Sequence, residues 1–250
     1  VAGVRRALDE SLHDALLFVD GVSSIGSIDF RMDDWGVDLA VTGSQKGLMC
    51  PAGLGILGVS DKALAAARTA TMRRAYFEFA DMLAMNATGY FPYTPPTPLI
   101  HGLKAALDRI LRHEGLEAVL ARHHHLAQAV RRGVAAMGLS IVAEHPSLAS
   151  DTVTAIKVPE GIDAREVIAI AYAEFNTSFG SGLGPLNGRV FRIGHLGDLN
   201  EAMVLTALSV AELALVRAGA DLRFGAGVGA AQAWFAQSRG TAPRLTIAAE

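Results

Sequence analysis

Short apolar runs, each closed by a polar or glycine-containing turn, dominate the first sixty positions. Residues 16–19 (Leu16-Leu17-Phe18-Val19), 37–41 (Val37-Asp38-Leu39-Ala40-Val41) and 54–59 are such runs. They are short and nearly continuous, as strands of a sheet covered on both faces require. The connection 27–36 is polar, with one helical turn. Residues 1–13 instead place Val4, Leu8 and Leu12 at helical spacing with Arg5, Arg6, Asp9 and Glu10 opposite, which predicts a helix without an N-cap. Ser60 or Asp61 would cap a further helix carrying Leu64 and Ala65 to Arg68. Residues 69–97 are rich in aromatic residues and methionine without a clean period, and predict an ordered loop region. Its end, Tyr90-Phe91-Pro92-Tyr93-Thr94-Pro95-Pro96-Thr97, is too rich in proline for a helix interior. A helix over 98–113 follows.

Beyond residue 114 the period changes to that of long helices alternating with strands. Residues 115–138 predict a helix with Leu116, Val119, Leu120, Leu126, Ala127 and Val130 inward. Strands over 139–143 and 152–158, a helix over 163–174, a strand over 189–193 and a helix over 200–218 complete a ββαβα-type layer. Asp163 and Asn200 stand at N-cap positions. The glycine-rich stretch 179–185 lacks the lysine and following hydroxyl residue of a phosphate loop, and reads as a flexible loop leading to the strand of Arg192. The pattern divides the chain into a domain over 1–113, a smaller one over 114–238 and a mobile tail over 239–250. It contains no internal repeat.

Composition narrows the possibilities. With 250 residues, 51% of them hydrophobic, the chain can bury the core of one or two domains. A net charge of -3 with both signs interspersed predicts neither a nucleic-acid groove nor attraction to an anionic membrane. No apolar run approaches the ~18 residues that a membrane-spanning helix needs. One cysteine, Cys50, excludes an internal disulfide framework and fits a reducing compartment, the cytoplasm.

The candidate chemistry lies at strand ends. Lys46 ends the polar segment Thr42-Gly43-Ser44-Gln45-Lys46-Gly47 after the second strand, and Asp20 ends the first. A lysine and an acid so placed are the protein groups that a pyridoxal phosphate enzyme needs most: the amine holds the cofactor aldehyde and moves a proton, and the carboxylate keeps the pyridine nitrogen protonated. Taken singly, Lys46 reads as an exposed lysine after a strand and Asp20 as the cap of a turn. Gln45 is either a solvated loop residue or an amide donor to a phosphate. Arg192 ends an apolar strand, where a guanidinium is costly unless it meets an anion. Its planar fork suits a carboxylate, and a structural salt bridge is the alternative. Consecutive residues of a helix point about 100° apart, so His123, His124 and His125 cannot converge on one ion and read as solvated; no metal site is expected. His195, three residues after Arg192, either faces the active site or satisfies its loop, the second being the reading preferred, and His101 and Trp35 read as packing residues. Cys50 has no cationic neighbour in sequence to activate it.

Several of these segments share the wording of one family. Phe18-Val19-Asp20-Gly21-Val22-Ser23-Ser24, the Asp20 to Lys46 spacing, Gly43-Ser44-Gln45-Lys46-Gly47, Tyr93-Thr94-Pro95-Pro96 and Phe191-Arg192-Ile193-Gly194-His195-Leu196-Gly197 resemble the class V aminotransferases. Within them they are most similar to the serine–glyoxylate, alanine–glyoxylate and aspartate–glyoxylate enzymes. The resemblance runs from the first residue to about Ser238. It implies an α/β fold of the PLP-dependent type I, with part of a large domain on a mixed, mostly parallel sheet, then a small α+β domain. It implies pyridoxal 5'-phosphate bound through Lys46, Asp20, Val22, Gln45 and Thr94, with Thr94 serving the neighbouring subunit of a homodimer, and Arg192 on the substrate carboxylate. The activity it implies is transamination from an amino acid to glyoxylate, with amino acids and 2-oxo acids as partners. Two alternatives stay open: a desulfurase or lyase reaction on the same fold, and a non-catalytic piece. The resemblance places this chain in the last three-fifths of a family member, after the segments that cradle the phosphate and stack on the ring. A chain of that extent alone is expected to bind the cofactor weakly.

Overall fold

The computed structural model describes residues 1–238 and divides the chain into two units, one of Val1–Ile25 and Asp29–Arg109, the other of Gly26–Ile28 and Ile110–Glu250. The tail over 239–250 lies outside the described residues.

The first unit is built on three strands, β1 (Phe18–Asp20), β2 (Leu39–Gly43) and β3 (Gly55–Val59), in the order β1-β2-β3. β1 runs parallel to β2 with Asp20 opposite Val41, and β3 runs antiparallel to β2 with Gly55 opposite Gly43. The sheet is therefore mixed, with one pair of each kind. Helices α1 (Ala2–Glu10), α2 (Asp61–Thr69), α3 (Phe79–Asn86) and α4 (Thr97–Asp108) complete the unit. Its small core is Leu17, Val37 and Ala40, packed by Leu8, Val19, Ile25, Phe30, Met32 and Trp35. Asp38, buried at the start of β2, takes the Leu17 amide at 2.8 Å and the Ser60 hydroxyl at 3.2 Å, with Arg5 at 3.6 Å. Removing so buried an acceptor would leave the Leu17 amide and the Ser60 hydroxyl without it, whereas Arg5 keeps Asp9. Ser60, rather than Asp61, caps α2 by accepting from the Ala63 amide.

The stretch 69–97 departs from the expected loop, because α3 lies within it. Its start is fixed by the Glu78 carboxylate, which accepts from the Ala80 amide, and Ala80, Met82, Leu83 and Met85 are good helix formers that bury nothing. His101 is exposed rather than packed. After α4 the chain continues as a π-helical stretch, Arg109–Glu114.

The second unit contains α5 (Leu116–Ala136), β4 (Val153–Lys157), α6 (Ala164–Phe175), β5 (Gly180–Ser181), β6 (Val190–Gly194), α7 (Glu201–Arg217) and α8 (Ala226–Gln237). The sheet order is β4-β6-β5, all antiparallel, which puts β6 at the centre. Residues 139–143 join the edge only through the bridge Ile141 to Ile156. Asp163 and Asn200 cap α6 and α7 as their positions suggest. The core gathers Phe191 and Ile156 from the sheet with Leu126, Val130, Leu208 and Leu215 from the helices. Leu116, expected inward, is exposed in the first turn of α5.

Helix α8 escapes the hydrophobic pattern because Gly225, Gly227 and Gly229 crowd its start. Packing explains them: a Cβ at Gly227 would lie 3.0 Å from the Gly133 carbonyl of α5, so the two backbones meet at glycines. The buried Glu212 carboxylate of α7 closes the arrangement by accepting from the Gly225 and Gly227 amides, both at 2.7 Å, at the positive end of α8. Among the described residues no helix is long and apolar enough to cross a membrane.

Candidate active site

In the first unit the ends of β1 and β2 come together in register. Where β1 stops, the Gly21 amide donates to the Val41 carbonyl at 2.9 Å, and a Cβ at Gly21 would lie 3.3 Å from that oxygen. The chain then turns through Asp20, whose Oδ1 accepts the Val22 amide at 3.0 Å. Asp20 is exposed and pairs with no cation among the described residues. Val22 is half-buried beside it.

Where β2 stops, Ser44 ties the following loop shut. Its hydroxyl donates to the Pro51 carbonyl at 2.7 Å and accepts the Leu54 amide at 3.2 Å, while its own carbonyl takes the Cys50 amide. Lys46 lies inside this closed loop. It is half-buried, and its amine has no hydrogen bond or ion pair among the described residues. Gln45 is exposed and folds back over Gly43, where a Cβ would stand 2.6 Å from its amide oxygen. The Thr42 hydroxyl is buried and unpartnered. An amine and a hydroxyl without protein partners, and a carboxylate whose one hydrogen bond is to the Val22 amide and which has no cation among the described residues, thus lie around the ends of two neighbouring strands. Such groups fit a polar ligand, since buried polar groups are otherwise satisfied within the protein.

Cys50 closes the same loop but offers no nucleophile. Its thiol lies 3.3 Å from the Leu48 carbonyl, and burial pushes its pKa up. Thr94 is exposed, in the stretch 89–97 that lines a surface hollow of about 760 Å³.

In the second unit Arg192 occupies the central strand β6, with Ala155 of β4 opposite on one side and Gly180 of β5 on the other. Its neighbours Phe191 and Ile193 are buried on the opposite face, and Arg192 itself is half-buried. The Nε atom is fully enclosed without a partner, and no hydrogen bond or ion pair to the guanidinium exists among the described residues. The salt bridge left open by the sequence is therefore not formed there, and an unpaired fork in a partly dry site is a ready anion receptor.

The loop after Arg192 is held by residues that the motif does not reveal. His123, fully buried rather than solvated, donates from Nδ1 to the Val119 carbonyl at 2.7 Å and accepts the Gly197 amide on Nε2 at 2.9 Å. Arg122 reaches the Gly197 and Leu199 carbonyls while its other nitrogens bind Glu114. His195, also fully buried, accepts the Thr154 hydroxyl at 2.8 Å and donates to the Asp151 carbonyl at 3.2 Å. Burial lowers the pKa of both histidines, that of His195 to about 4, which keeps them neutral as these bonds require. Burial alone would raise the pKa of Asp151, but hydrogen bonds from Arg131 and His124 outweigh it and hold the carboxyl below its usual range. His123 and Gly197 are 74 residues apart, so no local signal announces their pairing. Among the described residues no cluster of His, Cys, Asp and Glu could hold a metal ion.

Comparison with known proteins draws these features together. The family profile described as aminotransferase class-V matches residues 1–177. The chain is 52% identical to the L-aspartate–glyoxylate aminotransferase of Paracoccus denitrificans, over 98% of this chain and 61% of that protein. It is 54% identical to the serine–glyoxylate aminotransferase of Hyphomicrobium methylovorum, over 95% and 59%. It thus spans about three-fifths of the length of these relatives. Among solved structures, pyridoxamine–pyruvate aminotransferase from Mesorhizobium loti superposes with a TM-score of 0.86 at 38% identity, over 94% of this chain and 60% of that one. Ureidoglycine–glyoxylate aminotransferase from Bacillus subtilis gives 0.87 at 29% identity, over 94% and 61%. The fold is that of the type I PLP-dependent transferases, α/β with a mixed sheet. With the profile covering most of the chain and the strand-end lysine and acid in place, the chain belongs to the class V aminotransferase family.

Proposed function

We propose that this protein carries out pyridoxal-phosphate-dependent transamination from an amino acid, serine, alanine or aspartate, to glyoxylate, yielding glycine. The observation that carries the reading is the pair Asp20, which has no cation among the described residues, and Lys46, whose amine has no partner among them, at the ends of adjacent parallel strands. The family implies pyridoxal 5'-phosphate, and the site's unpartnered amine and hydroxyl, with a carboxylate that has no cation among the described residues, fit such a polar, charged group. When bound, it supplies the electron sink that stabilises negative charge at the amino acid's α-carbon.

The chain's own residues divide the remaining work. Lys46 Nζ would hold the cofactor aldehyde and would serve as the proton carrier at the amino acid's α-carbon. Asp20 supplies the negative charge that holds the proton on the ring nitrogen. Val22 would pack on the ring, Gln45 would offer a donor to the phosphate, and Thr94 would offer one to the phosphate of the partner's cofactor. Arg192 takes the α-carboxylate through its two terminal nitrogens. The identities of the relatives favour glyoxylate as acceptor, since both curated proteins named above use it.

The test is to add pyridoxal phosphate to the purified protein, record the visible absorbance, reduce with borohydride and locate the adduct by mass spectrometry. A phosphopyridoxyl group on Lys46 is the expected result. Labelling scattered over surface lysines would sink the proposal.

The working assembly in this reading is a homodimer in which Thr94 serves the partner's cofactor. Support comes from Tyr76, Phe77, Tyr90, Phe91 and Tyr93, all exposed, with the rings of Tyr76 and Tyr93 in tilted contact at 4.8 Å. So much exposed aromatic surface in one stretch is typical of a covered interface. Sedimentation velocity should give a dimer that Phe77→Asp shifts toward monomer; a fully active monomer would contradict the assembly.

A further inference from the structure

The glycine-rich stretch before Arg192 is not a flexible loop but carries β5, which pairs with β6 so that Gly180 stands directly opposite Arg192. Side chains opposite one another in an antiparallel pair share a face and normally sit about 4.5–5.5 Å apart at Cβ. Here one of them is missing, and the arginine uses the space. A Cβ built at Gly180 would lie 3.1 Å from Arg192 Nε, 3.3 Å from its Cβ and 3.4 Å from its Cζ. Of Gly180, Gly182 and Gly184, only the first has its missing side chain toward Arg192; Gly182 is packed against the Leu186 and Val190 carbonyls, and Gly184 faces open space.

Gly180 has no positive φ, so the backbone does not demand glycine there. Resting on the reading of Arg192 as the carboxylate receptor, we propose that Gly180 is its positioning residue. The absent side chain lets the guanidinium lie flat across β5 with Nε enclosed, leaving the two terminal nitrogens to grip a small carboxylate end-on. An arginine otherwise gives up much rotamer freedom when it binds, and holding it against a bare strand removes most of that loss beforehand. A methyl group at 180 displaces the fork by a few tenths of an ångström, and a serine by at least as much. Misplacement on this scale weakens a bidentate contact by about 10-fold.

The experiment titrates glycolate, an unreactive two-carbon carboxylate, into the isotope-labelled protein in chloride-free buffer. It follows the backbone amide resonances of β5 and β6 in every variant, together with the Arg192 Nε–H resonance, whose donor is enclosed, where that arginine is present. Wild type, Gly180→Ala, Gly180→Ser and Arg192→Leu are compared, with thermal midpoints measured alongside. The expected result is a glycolate-dependent shift in wild type, roughly 10-fold weaker binding in both Gly180 variants, and an unchanged or raised midpoint, since alanine is the better strand residue. A structural role alone would lower the midpoint and leave the affinity of the folded protein untouched. Equal affinity in wild type and both Gly180 variants overturns the positioning role and leaves Arg192 as receptor. Absence of binding in wild type, or equal binding by Arg192→Leu, overturns the receptor reading and this inference with it.

Discussion

Replacing Lys46 by alanine should lower transamination by on the order of 10³-fold or more, because in the mechanism proposed above one side chain would supply both the covalent anchor and the proton carrier. The loss belongs to chemistry rather than folding. The Lys46 amine has no partner among the described residues, so its removal orphans nothing, and the loop around it is closed by Ser44, Cys50 and Leu54 without its help. The unfolding free energy should therefore stay within the scatter of surface substitutions, roughly 0.5 kcal/mol. Two comparisons separate the roles. Lys46→Arg keeps the charge but cannot hold an aldehyde or release its proton near neutral pH, so it should be as inactive as alanine. A small primary amine added to Lys46→Ala should restore part of the proton transfer, visible in single-turnover absorbance, without restoring a borohydride-stable bond to the protein. Alanine and wild type turning over at similar rates would remove Lys46 from the mechanism and leave Asp20 without a purpose at that strand end.

How far the sequence reaches can be seen residue by residue. The strand ends near Asp20 and Lys46 are legible because a continuous apolar run that stops at a polar or charged residue admits few structures, and β1 and β2 end within a few residues of those stops. Arg192, expected at a strand end, instead lies in the middle of β6, paired on both sides. Helices α3 and α8 are not legible. One is set by a single glutamate cap within an aromatic stretch, and the other opens on glycines that only close contact with α5 explains. The same distinction runs through the site. Arg192 is visible as a charge in an apolar run, but Gly180 gains meaning only from the strand pairing that places it opposite. His123 reads as solvated from its neighbours His124 and His125. Only the tertiary fold brings the Gly197 amide to its ring, and what period and propensity cannot supply is the partner of a polar group.

The buried histidines also set how the second unit responds to acid. His195 titrates at about 4 in the folded protein against 6.5 when unfolded, chiefly because burial disfavours its charged form. Above pH 6.5 both states are neutral and the shift has no effect. As pH falls from 6.5 to 4 the unfolded chain takes up the proton and the folded one does not, so stability declines by about 1.4 kcal/mol per pH unit, roughly 3 kcal/mol across the window. His123, lowered in the same direction, adds to the decline. Asp151, whose lowered pKa favours its charged form, contributes only further down, as pH drops below its unfolded value of 3.8. Arg131 disfavours charge on His195 and Asp151 favours it, without reversing the effect of burial. The chain has two tryptophans, Trp35 in the first unit and Trp234 in the second, so Trp35→Phe makes fluorescence report the second unit alone. Urea titrations of that variant at pH 7.5 and 4.5 should differ by roughly 2–3 kcal/mol from the histidines, beyond what carboxylates contribute. His195→Asn cannot take up the proton in either state and should flatten most of that slope, even though its stability at pH 7.5 is lower. Parallel pH profiles with and without His195 would mean that the ring protonates in the folded state and that its bond from Thr154 is not the neutral clamp described above.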